Sequence, residues 1–209
     1  MGPGGGAAMS IEQDSRQQYA IIFTQPHWEQ FKVIAESYLR QAAYLRKKHL
    51  RGVARDCRLL ARNSQKRLLI GVAVELILKA VYLQKGYCIN VLADGSGPLP
   101  WPYTAQQVQA RGFALNSDKT QELNECIQQL GENVLQLGGD RQAILEGLRI
   151  AKVYRNKEAH IVTSAHNYLP TEYRKVESAL TLLYLHAFNQ KLELHFSIAT
   201  GEKPRFRVT

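Results

Sequence analysis

Apolar residues recur at spacings of three and four along most of the chain, the pattern of helices buried on one face. From Pro26 to His49 the rhythm is carried by Phe31, Ile34, Ala35, Tyr38, Ala42 and Leu45, with Pro26 suited to a first helical turn. A second helical pattern runs from Leu50 to Arg67, and a far more apolar one from Leu68 to about Lys85. These two read either as one continuous helix or as a pair kinked near Ser64. Gly86 is a natural stop, because a glycine accepts the left-handed conformation that closes a helix. The apolar run Leu68–Leu83 carries Glu75 and Lys79 and falls short of the about 20 residues needed to cross a bilayer. It therefore predicts a core helix and no membrane anchor.

From Tyr87 to Asn116 the periodicity lapses, and Asp94-Gly-Ser-Gly-Pro and Pro100-Trp-Pro mark an irregular insert. Within it Trp101 and Tyr103 either line a partner surface or pack as part of a loop. Ser117 or Asp118 offers an N-cap for a helix bearing Leu123, Ile127, Leu130 and Val134. Gly138-Gly139 interrupts, Asp140 offers the next cap, and Ile144, Leu148, Ala151 and Tyr154 carry a helix to about Ala159. Pro170-Thr171 opens a last long helix with Tyr173, Val176, Leu180, Leu183 and Tyr184. The tail changes period: Leu192–Ile198 and Arg205–Val208 alternate apolar and polar residues around a Thr200-Gly-Glu-Lys-Pro turn, which predicts a hairpin. The expected fold is all-α: one bundle of about five to six helices over residues 9–190, an irregular insert at 87–116, and a small C-terminal β-hairpin over 191–209. The opening Met1-Gly-Pro-Gly-Gly-Gly-Ala-Ala (residues 1–8) has the look of a vector-derived leader, with Met9 as the expected start.

Composition is ordinary for a globular chain, with 45% hydrophobic and 22% charged residues. The charge distribution is not ordinary. Residues 40–67 hold ten Lys and Arg against the single acid Asp56, which equals the net charge of +9 for the whole chain. Arg51, Arg55, Arg58, Arg62 and Lys66 fall on one face of a helix, with Val53, Ala54, Cys57, Leu60 and Ala61 opposite, where they would meet the core. Such a stripe can track a phosphate backbone; the competing reading is a solvated amphipathic face. Three cysteines without CxxC or CxxH spacing argue against a disulfide framework and a structural zinc site, and suit reduced thiols in a cytoplasmic protein. No metal and no cofactor is expected.

Two places carry candidate chemistry. Glu75 sits in the apolar helix one turn before Lys79, and a carboxylate there is costly unless it is paired. It either forms an i, i+4 pair with Lys79 or holds an arginine of a neighbouring helix. In Val153-Tyr-Arg-Asn-Lys-Glu-Ala-His160, Asn156 and His160 share a helix face and Arg155 lies to one side. A cation, an amide and an imidazole are what phosphodiester transfer needs: a group that moves protons near neutral pH, and donors for the charge that builds on the phosphoryl oxygens. Lys157 is a supporting candidate. Gly-x-Ser-x-Gly, Walker and His-Glu-x-x-His motifs are absent, which disfavours the common hydrolases.

Arg155-Asn156-x-x-x-His160 resembles the Arg-x4-His signature of HEPN domains (higher eukaryotes and prokaryotes nucleotide-binding). Val74-Glu-Leu-Ile-Leu-Lys-Ala-Val-Tyr-Leu-Gln-Lys-Gly86 is similar to the Gly-terminated core helix upstream of that motif, and Thr171–Asn189 to the long helix after it. The resemblance spans roughly residues 26–190. It implies a helical bundle that dimerises to bring two motifs into one composite cleft, and a metal-independent endoribonuclease of toxin–antitoxin or antiviral defence systems. Arg155 would stabilise the phosphorane-like transition state, Asn156 orient the phosphate or the histidine, and His160 act as general acid or base. The 2′-hydroxyl would attack, leaving a 2′,3′-cyclic phosphate. Where nucleotidyltransferase-controlled members have a modifiable tyrosine two residues after the histidine, this chain has Val162, so an antitoxin would act by another route. The alternative, from a different class, is a non-catalytic nucleic-acid-binding or scaffold module working through the basic helix 51–66.

Overall fold

A computed structural model describes residues 20–45, 57–131, 134–159, 169–196 and 203–209. Its centre is α2 (Arg58–Gln84), one unbroken helix, so the two helical patterns on either side of Ser64 merge without a kink. From Ile70 to Leu83 it is buried almost all round, as its continuous apolar run demands. It ends in a Schellman motif: Gly86, at φ +83°, donates its N–H to Leu83, and the Tyr87 N–H reaches Tyr82 O at 3.0 Å.

The first helix, α1 (Trp28–Tyr44), packs along α2 through Ala35, Leu39, Ala42 and Ala43. Small alanines let the two helices approach closely, and this turns the expected face: Ile34 is exposed. Between α2 and the second half of the bundle, the insert is more ordered than its sequence pattern suggests. Strand β1 (Asn90–Leu92) pairs antiparallel with β2 (Leu115–Thr120), and α3 (Ala105–Ala110) lies between them, opened by a Thr104–Gln107 capping box. Ser117 and Asp118, expected to cap a helix, lie in β2. Asn116 Oδ1 instead accepts from the Asp118 and Lys119 N–H groups, the local bonding that makes Asn a turn former rather than a helix starter here. The helix begins later, as α4 (Leu123–Gln128). Trp101 and Tyr103 pack inward. The Trp101 ring lies tilted with its centroid 4.2 Å from that of Tyr82 and its indole N–H donates to Cys88 O, and Tyr103 is buried with its hydroxyl on Asn90 O.

A short 3-10 turn at Gly138–Asp140 leads into α5 (Arg141–Ala159), followed by α6 (Pro170–Phe188), which starts at Pro170 as expected. Strands β3 (Leu192–His195) and β4 (Arg205–Val208) form the expected hairpin, in register from Leu192↔Val208 to His195↔Arg205. The fold is thus all-α, six helices among the described residues with two small antiparallel strand pairs. In the helix stack, α1 and α5 lie against α2, α6 lies on α5, and the hairpin closes over α6. Two glycines allow close helix approaches: Gly71 of α2 meets Arg155 of α5, and Gly147 of α5 meets Ala179 and the Lys175 carbonyl of α6. Among the described residues no helix is long and apolar enough to cross a membrane.

Candidate active site

Because Gly71 has no side chain, α5 comes down onto α2 with the Arg155 backbone against it. Glu75, one turn further along α2, then lies within reach of α5. Its Oε2 accepts from Arg155 Nε at 2.6 Å and its Oε1 from Lys79 Nζ at 2.8 Å. Both readings of Glu75 therefore hold at once: it is paired within its helix and also holds an arginine of the neighbouring one. Lys79 Nζ donates further to Thr120 Oγ1 at 2.9 Å, tying the pair to the end of β2. The Glu75 side chain is only 13% exposed while that of Arg155 is 39% exposed, so the carboxylate acts as a buried anchor for a cation that still reaches solvent.

Arg155 Nη1 donates to Asn156 Oδ1 at 3.4 Å, and Lys152, one turn earlier on α5, donates to Asn124 Oδ1 at 2.5 Å. Glu75, Thr120, Asn124, Lys152, Arg155 and Asn156 line a cleft of about 290 Å³ between α2, α5 and the segment joining β2 to α4. With Nε held by Glu75 and Nη1 on Asn156, the guanidinium keeps further N–H donors for a phosphate or carboxylate in the cleft it lines. Lys157 does not line this cleft. His160 lies outside the described residues, directly after the last residue of α5 in sequence.

A second tie holds the same helix end. Glu158, one turn beyond Arg155, accepts from Ser64 Oγ and Arg67 Nε of α2. This bond locks the rotation of α5 about its axis and so the direction in which Arg155 leaves it. Tyr154 on the opposite side is fully buried, its ring 5.4 Å from that of Tyr173.

Of the basic stripe, the structure describes the side chains of Arg62 and Lys66. Arg51 and Arg55 lie outside the described residues, as does the side chain of Arg58. Arg62 is half-buried and donates to Asn63 Oδ1 at 3.2 Å. Lys66, expected at the end of the exposed face, is 2% exposed, while Leu60, expected in the core, is 69% exposed. The reason is tertiary: by Lys66 the helix has entered the bundle and turns this face toward Glu177 of α6. Burial pushes the Lys66 amine from its ordinary range down to about 8, with Arg62 acting the same way and Glu177 opposing them.

Lys152, Thr120, Gln121, Glu122 and Asn124 also line the cleft and were not singled out in the sequence. Lys152 had a signal, since it precedes Arg155 by three residues and so shares its helix face. Asn124 and Thr120 had none, because a chain reversal places them there. What the fold and cleft define is a helical bundle with a charged site at the crossing of its two central helices. No protein-family model, no curated protein and no solved structure matches the chain.

Proposed function

We propose that the chain is a metal-independent endoribonuclease of the HEPN type, acting as a toxin or defence effector, with its reaction centred on Arg155, Asn156 and His160. The observation that carries this reading is the Glu75–Arg155–Asn156 arrangement: an anchored guanidinium beside an amide, in a cleft, on the turn that leads to His160. In the reaction His160 takes the proton of a ribose 2′-hydroxyl and the 2′-oxygen attacks the adjacent phosphorus. The P–O5′ bond breaks, and the departing oxygen receives a proton. A 2′,3′-cyclic phosphate and a 5′-hydroxyl result. Arg155 and Asn156 meet the charge that develops on the phosphoryl oxygens. A homodimer would set two such clefts side by side, and the second histidine would serve as the proton donor.

The test is digestion of RNA in EDTA by wild type, Arg155→Ala and His160→Ala, with analysis of the product ends. Cleavage by wild type that leaves cyclic phosphates, and falls about 10²–10³-fold in Arg155→Ala, is expected, the usual cost of removing one donor to a transition-state charge. Equal cleavage by all three proteins would refute the assignment. The alternative of a non-catalytic binder working through residues 51–66 is weakened by the burial of Lys66, which takes one cation off that face.

A further inference from the structure

We propose that the cleft between α6 and the C-terminal hairpin is a second phosphate-binding site, which holds the backbone of single-stranded RNA. The proposal rests on the reading of this chain as an RNA-acting protein and extends its substrate path beyond the Arg155 cleft.

The cleft has a volume of about 720 Å³, and Arg174, His195, Lys203 and Arg205 all line it. Two acids also line it: Glu193, which pairs with Lys191 Nζ at 3.3 Å, and Glu177, which is buried and committed inward. Oε1 accepts from the Phe196 N–H at 2.5 Å and lies 3.4 Å from His195 Nδ1, while Oε2 accepts from Arg174 Nη1 at 3.0 Å. Glu177 therefore acts on this wall as Glu75 acts on the other, a buried carboxylate that positions cations. The hairpin supplies the opposite wall. Its register sets Arg205 across from His195, and among the described residues neither Lys203 nor Arg205 has an acidic partner within ion-pair distance. Arg207, two residues further along β4, is set across from Glu193 and does not line the cleft.

One stretch of α2 bears on the surroundings of both clefts. Ser64 and Arg67 of α2 grip Glu158 of α5, one turn past Arg155, while Lys66 between them senses Glu177 of α6. A polymer with a negative charge at every residue can meet Lys152 and Arg155 in one cleft and Lys203 and Arg205 in the other, where a single small anion would fill only one.

The test measures binding, not turnover. Anisotropy of a labelled single-stranded RNA is followed over a salt series in EDTA, with the full chain carrying His160→Ala as parent. Adding Lys203→Ala and Arg205→Ala together should weaken binding several-fold and make the slope of log K against log salt shallower by about 1.4, two phosphate contacts on a single strand. Adding Arg207→Ala alone should change neither. Unchanged affinity and slope in the double variant, an equal loss with Arg207→Ala, or no binding by the parent would each overturn the proposal. The two readings fail separately. Wild type that binds through Lys203 and Arg205 but leaves RNA intact sinks the nuclease, whereas cleaving wild type with an unaffected double variant sinks this site.

Discussion

Gly71→Ala is the sharpest test of how the site is held. In an open helix interior this substitution stabilises a protein by about 1 kcal/mol, since alanine is the better helix former. Here a methyl at position 71 would lie 2.6 Å from Arg155 Cβ, 2.7 Å from its N and 2.8 Å from its Cα. Every one of these atoms is fixed to the α5 backbone, so no side chain can swing aside, and the helices must part by about 1 Å to reach ordinary contact distance. Overpacking of this kind costs about 1–3 kcal/mol. Set against the propensity gain, the expected outcome is a net loss of about 1 kcal/mol, seen as a lower urea midpoint and a melting temperature reduced by about 2–4 °C. The same displacement would stretch the 2.6 Å Glu75–Arg155 pair, so under the proposed nuclease reading RNA cleavage should fall as well. A Gly71→Ala protein as stable as wild type, or more so, would refute the close crossing of α2 and α5 and with it the account of how Arg155 is placed.

Two further outcomes follow from buried groups. With its amine lowered to about 8 from 10.5, Lys66 gives up its proton earlier in the folded chain than in the unfolded one. Between those values the unfolded state binds more protons, so this residue's contribution to stability rises with pH over that window. Urea unfolding from pH 7 to 10 should therefore show wild type gaining on Lys66→Met as pH rises, groups common to both cancelling in the difference; a constant difference would contradict the burial. Cys57 is exposed, whereas Cys88 and Cys126 are buried, with the Cys126 thiol pushed up to about 12 by burial. Ellman's reagent should thus find one fast thiol in the native protein and two that react only as it unfolds, and three fast thiols would count against the core described.

What the chain's order of residues determined by itself is what depends on near neighbours. The period-3.6 runs marked α2, α5 and α6, Gly86 and Pro170 marked two of their ends, and the alternation at residues 192–198 and 205–208 marked the hairpin, because these signals act within a few residues. The grouping of Arg155 with Asn156 was legible for the same reason, since helix geometry alone makes them neighbours. Tertiary packing decided the rest. For Lys66 and Leu60, in one helix, the local amphipathic pattern turned the lysine outward and the leucine inward, and the fold reverses both. Only the arrival of α6 and its Glu177 buries the lysine and leaves the leucine outside. Glu75 could be read as needing a partner, but that the partner is Arg155, far along the chain, depends on how closely α5 crosses α2. That closeness comes from the missing side chain at Gly71, whose value becomes visible only when the second helix lies against it.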